Sequence, residues 1–320
     1  MILAGDIGGT KSNLGLFDAQ QGKLLRIAHK RYSSHEHSGL REIIEDFLRE
    51  NRAAVTGASF GVAVPVVNNR VQGTNMPWLV DGGTVAGFLG LERVRILNDL
   101  ESTAFGVAVL QPSDLETIYG GSPAPQATCV VIAAGTGLGE AILFWDGKQH
   151  SAMATEGGHA DFAPHTAQQA DLWKFLKDRG EFVSVEIILS GRGFQNVHEF
   201  LDPTIKHPGF DDPSKDPAPE ITRRGLSGEC PVCVATLDLW TEIYGSEAGN
   251  LAIRTLARGG IYVAGGIAVK ILPKLKDGQF AAAARDKEKM KDFLAKVPIH
   301  VVLNEECPLL GAAYVAWKRL

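Results

Sequence analysis

Apolar and polar positions change rhythm along this chain, and the rhythm marks its elements. Ile2, Leu3 and Ala4 form an apolar run that predicts a strand. Gly8-Gly9-Thr10-Lys11 predicts a tight turn, and Leu14, Leu16 and Phe17 resume the strand pattern beyond it. Residues 24–32 read as a third strand. Leu40, Ile43, Ile44, Phe47 and Leu48 then recur at helical spacing with charges between them, and Ser38 stands where an N-cap belongs. Residues 59–67 read as a strand closing at Pro65, residues 93–97 as another, and residues 100–110 as a helix.

The second half opens at a Pro/Gly-rich joint, residues 120–125. Residues 128–134 predict an apolar strand, Gly135-Thr136-Gly137-Leu138-Gly139 a turn, and residues 140–145 a returning strand. This repeats the arrangement at the N-terminus, and two copies of one unit predict a duplicated lobe. Residues 201–229 carry Pro203, Pro208, Pro213, Pro217 and Pro219 among charges, and read as a surface excursion rather than a core element. Ile261-Tyr262-Val263-Ala264 is strand-like and runs into Gly265-Gly266 and a helix. Residues 309–320 predict a helix able to pack back on the N-terminal half. Strands and helices interleave, so the class is α/β.

Composition narrows the function classes. At 320 residues the chain exceeds the ~250–300 at which one core stops growing, so two lobes are expected. Apolar residues are 45%, charged residues 22%, and mean hydropathy is near zero, which is the composition of a globular protein and not a disordered one. Lys+Arg total 32 against 37 Asp+Glu, a net charge of −5 that lacks the global basic field of a nucleic-acid binder. No stretch of ~20 apolar residues predicts a membrane span, and Asp6 interrupts any signal-peptide pattern. Cys129 lies in an apolar run and reads as core. Cys230 and Cys233 form a single C-x-x-C with no second pair and no nearby His pair, so no zinc is expected. Reduced thiols and an acidic pI point to the cytoplasm.

Three glycine turns follow strands, at 8–9, 135–139 and 265–266. Such turns either close hairpins or bring backbone N–H groups against an anion, phosphate above all. There is no G-x-x-x-x-G-K-[ST] and no G-x-G-x-x-G, which disfavours a Walker NTPase and a Rossmann dehydrogenase. Asp6 precedes the first turn, where a carboxylate either caps the turn or holds Mg²⁺ beside phosphates. Thr10 and Thr136 add hydroxyl donors. Asn98-Asp99 ends a strand; Asp99 there either caps the following helix or accepts a proton from a substrate hydroxyl. Glu156-Gly157-Gly158-His159 sets a carboxylate and an imidazole around a turn, a pair suited to a polyhydroxyl ligand. Glu186 lies in residues 184–190, and on position alone reads as a solvated glutamate in the first turn of a helix.

This ordered set of motifs resembles the bacterial glucokinases, of the sugar-kinase, Hsp70 and actin superfamily, from residue 2 to about residue 317. The resemblance implies a two-lobed actin-like ATPase fold, each lobe with a ribonuclease-H-like mixed sheet and flanking helices, and an active site in the cleft between. It implies a small lobe of residues 1–109 with 302–320 and a large lobe of residues 110–301. Asp6, Gly8, Gly9, Thr10 and Lys11 match the first phosphate motif; Gly135, Thr136 and Gly137 the second; Gly265 and Gly266 the adenosine motif. Asp99 matches the catalytic base acting on the sugar 6-hydroxyl. Asn98, Glu156, His159 and Glu186 match sugar ligands, Gly137 a backbone contact, and Asn75 a loop over the sugar. The implied partners are glucose, ATP and Mg²⁺, with a homodimer as the expected assembly. The related repressor/kinase branch carries closely spaced zinc cysteines after E-G-G-H, and these are missing here. A kinase for mannose, fructose or an N-acetylated hexosamine, and a non-catalytic sugar sensor, are the alternatives.

Overall fold

Ile2–Ile7 (β1) buries both of its faces, as a central strand must, and everything in the N-terminal half is arranged around it. The computed structural model describes residues 1–71, 78–208, 210 and 215–320. Antiparallel to β1 runs Lys11–Gln20 (β2), followed by Lys23–Ser33 (β3); Gly57–Val62 (β4) and Arg95–Asn98 (β5) lie parallel on its other side. The order is β3-β2-β1-β4-β5.

Helices cover both faces of this sheet. Leu40–Asn51 (α1) turns Leu40, Ile43, Ile44 and Phe47 onto Leu3, Ile7, Leu14 and Phe60, as its spacing predicts. Its N-cap is Gly39 and not Ser38. Glu42 reaches back instead, accepting from the Ser38 N–H at 2.7 Å and the Ser38 hydroxyl at 2.9 Å. The strand expected over 59–67 stops at Val62, so its last residues form a connection. Gly82–Leu89 (α2) and Asp99–Val107 (α3) follow. The C-terminal helix, Cys307–Lys318, packs Leu309, Ala312, Ala313 and Ala316 onto Ile2, Ala4 and Phe17. It also crosses α3 closely: a Cβ at Gly311 would fall 1.7 Å from the Ser102 carbonyl oxygen, and one at Gly106 2.1 Å from that of Cys307.

The second sheet repeats the first. Its strands are Leu115–Tyr119 (β6), Cys129–Ala134 (β7), Leu138–Trp145 (β8), His150–Thr155 (β9), Gly260–Ala264 (β10) and Ile299–Val302 (β11), in the order β9-β8-β7-β10-β11-β6. Here β7 and β8 are antiparallel, while β7, β10 and β11 are parallel. The first five strands thus follow the same winding as the N-terminal sheet, with β6 added at one edge. The repeat read from the glycine turns is a repeat of topology.

Two compact units result: Met1–Ser113, His150–Ala154 and Asn304–Leu320 form one, Asp114–Gln149 and Thr155–Leu303 the other. The second core gathers around Pro231–Thr255 (α7), whose Trp240 and Tyr244 are fully buried, Trp240 stacking on Phe194 at 4.4 Å. Ala167–Asp178 (α4) and Gly191–Leu201 (α5) pack beside it. The Pro-rich stretch is not the bare excursion expected. It contains Ala218–Ser227 (α6), and Phe210, Ala218 and Ile221 join the core. Prolines there begin the helix and do not exclude it, since a helix tolerates Pro in its first turn. Among the described residues no helix is long and apolar enough to cross a membrane.

Candidate active site

In the first unit the chemistry stands at the carboxyl ends of parallel strands. Asp6 lies near the end of β1, directly opposite Asn13 on β2, which in turn lies opposite Arg31 on β3. The register makes a bonded row: Asn13 Nδ2 donates to Asp6 Oδ2 at 3.1 Å, and Arg31 Nε donates to Asn13 Oδ1 at 2.9 Å. Burial pushes the Asp6 carboxyl above its usual pKa, against the Asn13 hydrogen bond and the Arg31 charge. The glycine turn beyond is held in shape. Gly8 N–H donates to the Lys11 carbonyl, and buried Ser34 ties down both Gly8 O and Thr10 O.

On the same sheet edge, Asn98 ends β5 and is the N-cap of α3. Its Oδ1 accepts from Leu100 N–H at 2.9 Å and Glu101 N–H at 3.4 Å. Capping, the alternative weighed for Asp99, therefore falls mainly to its neighbour. Asp99 is the first helical residue, half-buried, with Oδ1 accepting from Leu100 N–H at 2.9 Å.

In the second unit, Gly135 follows β7 and Gly265 follows β10, its parallel neighbour. The two turns therefore meet. Gly265 has φ +87, and a Cβ on it would sit 2.6 Å from the Ala134 carbonyl oxygen, so only glycine fits. Gly266 begins Gly266–Lys270 (α8). A cavity of about 850 Å³ opens here, lined by Gly135, Thr136 and Gly266 together with Arg192, Lys215 and Lys270. Two glycine turns and three cations in one cavity match the phosphates of a nucleotide. The cations were not legible in the sequence. Arg192 starts α5 and Lys215 comes from the Pro-rich stretch, and neither carries a motif; only Lys270, one helical turn past Gly266, had a spacing signal.

Glu156, His159 and Glu186 converge from separate segments. Glu156 precedes a 3-10 turn, Gly157–His159, that sits on Leu138 so closely that a Cβ at Gly158 would lie 2.3 Å from the Leu138 carbonyl oxygen. Glu186 is not in a helix, as position alone suggested; residues 184–190 form a turn, and α5 begins after the Ser190 cap. Glu186 N–H donates to Gly158 O at 2.8 Å, and Glu186 Oε2 accepts from Leu138 N–H at 2.8 Å. His159 thereby stands between two carboxylates, 3.9 Å from Glu156 and 3.8 Å from Glu186. Beneath the turn lies Glu140, 1% exposed, and burial with the nearby Glu247 charge pushes its pKa up to about 7. Asn75 lies outside the described residues.

The C-x-x-C is not alone either. The fold brings His198 and His207 to Cys230 and Cys233, which corrects the expectation of no nearby histidine pair.

A family model described as Glucokinase matches residues 3–319. The chain is similar to the glucokinase of Nostoc sp. (strain PCC 7120 / SAG 25.82 / UTEX 2576), 35% identical over 337 residues covering 99% of this chain and 98% of that protein. It is 34% identical to the glucokinase of Yersinia pestis (strain Pestoides F), covering 99% of this chain and 96% of that one. Among solved structures, a glucokinase from an Antarctic psychrotroph superposes with a TM-score of 0.89 at 27% identity, over 99% of this chain and 98% of that one. A ROK family glucokinase from Streptomyces griseus, solved with glucose and AMPPNP, shares the fold at a TM-score of 0.66 and 18% identity, over 99% of both chains.

Proposed function

The chain belongs to the glucokinase family, and from that premise we propose how its residues carry out ATP-dependent phosphorylation of glucose to glucose 6-phosphate. The observation that carries the reading is the bond from Leu138 N–H to Glu186, which makes the second glycine turn and the Glu156–His159–Glu186 cluster one assembly. A group that grips phosphate and a group that grips sugar hydroxyls are then positioned by the same backbone.

Glu156 and Glu186 accept from sugar hydroxyls, and His159 bonds a third. Gly137 offers its backbone close to the sugar. Asp99 accepts the proton of the 6-hydroxyl as the γ-phosphoryl is transferred, and Asn98, by capping α3, holds Asp99 at the strand end. Backbone N–H groups of the 8–11 and 135–137 turns, with Thr10, Thr136 and Lys11, bind the ATP phosphates, and the 265–266 turn borders the adenosine in the cavity. The family's reaction uses a divalent metal with ATP, and we assign Mg²⁺. Asp6 suits it: an oxygen donor near the end of β1, oriented by Asn13 beside the first glycine turn. A Mg²⁺ held there would supply positive charge against the phosphates. None of the four cysteines forms a disulfide, which fits work in the cytoplasm.

A coupled assay of ADP release over glucose, mannose, fructose and N-acetylglucosamine tests this reading. Glucose is expected to give the highest kcat/KM. ADP release no faster with any sugar than without one would favour a sensor, and a preference for another hexose would reassign the substrate.

A further inference from the structure

His198 is wholly buried near the end of α5, and neither of its ring nitrogens has a hydrogen-bond partner. Buried polar atoms in folded proteins are nearly all satisfied, so two orphaned nitrogens on one ring mark a place where something else binds. The neighbours of that ring say what. His207 Nε2 lies 3.4 Å from Cys230 Sγ and 3.2 Å from Cys233 Sγ. One donor atom from each of His198, His207, Cys230 and Cys233 falls within 4.8 Å of all the others. A tetrahedral zinc ion, with Zn–S near 2.3 Å and Zn–N near 2.0–2.1 Å, sets its N···S edges at about 3.5 Å and its S···S edge at about 3.8 Å. The two His207 N···S distances, 3.4 and 3.2 Å, lie close to that edge.

The surroundings suit a closed site. Cys230 is the N-cap of α7 and Cys233 lies in its first turn, so one helix start supplies both sulfurs. Phe210 packs edge-on against both imidazoles, at 5.0 Å from His198 and 5.5 Å from His207. Two thiolates and two imidazoles are soft donors, wrong for Mg²⁺ and right for Zn²⁺. With four protein ligands there is no open position, so such an ion is structural.

We propose that His198, His207, Cys230 and Cys233 bind one zinc ion that fixes the wall of the nucleotide cavity. The chain between His207 and Cys230 supplies Lys215, Asp216 and Pro217 to that wall. A metal clamping both ends of the segment to α5 shortens its freedom, as a covalent loop closure does. None of the four ligands lies in the E-G-G-H stretch or belongs to the phosphoryl-transfer machinery, so this site stands or falls independently of the assigned reaction.

The test is made on the full chain, expressed with added zinc and purified without chelator. Elemental analysis is expected to find about one zinc per chain. Cobalt substitution should give the visible bands of a tetrahedral ion and a thiolate charge-transfer band. A strong chelator should lower Tm. His207→Ala, at a half-exposed position that tolerates truncation, should retain less than about a tenth of the metal and lose the chelator effect on Tm; Cys233→Ser should do the same if it folds. The proposal is overturned if the protein holds no zinc even after Zn²⁺ is added. It is equally overturned if His207→Ala keeps the full complement, or if protein prepared without air carries a Cys230–Cys233 disulfide.

Discussion

Glu186 Oε2 accepts from the backbone N–H of Leu138 at 2.8 Å, so a carboxylate outside the glycine turn fixes the turn's last peptide. The same oxygen would lie only 2.3 Å from a Cβ on Gly137. Gly137→Ala therefore cannot coexist with Glu186 in place, but the obstacle is the tip of a flexible side chain and not backbone. The variant is expected to fold with little change in Tm while the displaced carboxylate raises KM for glucose about tenfold, the cost of one lost hydrogen bond to a charged group. Steady-state kinetics beside a thermal melt check this; an unchanged KM would remove Glu186 from the sugar site.

Asp99→Asn separates binding from chemistry. The amide oxygen can still accept from Leu100 N–H, and Asn98 still caps α3, so the helix start survives. Glucose binding measured by calorimetry should stay within about threefold, and kcat should fall by roughly 10²–10⁴, the usual contribution of a general base. A near-normal kcat means that another group takes the proton.

Glu140 gives the fold a pH signature. Its pKa is about 7 in the folded chain against an ordinary 4.5, chiefly through burial. The folded state therefore binds the proton more tightly, and its advantage is complete below pH 4.5. Stability falls as pH rises from 4.5 through 7, by at most about 3 kcal/mol from this residue. Glu140→Gln keeps the shape and removes the charge. It should be more stable than the parent at pH 8 and differ little at pH 4.5, as read by urea unfolding at the two pH values. Equal stability at pH 8 would show that Glu140 ionises without cost.

Two glycines of similar sequence appearance should behave in opposite ways. Gly311→Ala drives a methyl into the Ser102 carbonyl oxygen where two helices cross, and backbone cannot give way cheaply; a loss of about 2–3 kcal/mol is expected. Gly87 lies exposed in α2 with nothing within 4 Å, so Gly87→Ala should gain about 0.5–1 kcal/mol by helix propensity. Denaturation midpoints of the two variants decide it.

Local pattern alone determined the strand-turn-strand units at both 2–17 and 129–145, the α1 face, the strand before Gly265-Gly266 and the C-terminal helix, because each is written in near-neighbour spacing of apolar and glycine residues. The candidate-site motifs around Asp6, Asn98-Asp99, Gly135–Gly139 and Glu156–His159 could be picked out for the same reason: each is a short contiguous stretch at the end of a strand. What spans the chain was decided only by tertiary structure. On position alone Glu186 looked like a solvated helical glutamate, and only the resemblance marked it as a ligand; in the structure a turn aims it at Leu138. The Pro-rich stretch looked like surface until Ile221 and Phe210 found α7 and the aromatic core. Cys230 and Cys233 looked partnerless until α5 and the loop after it delivered His198 and His207. Side chains tens of residues apart meet because burial of apolar surface sets the path of the backbone between them, and no local spacing records that path.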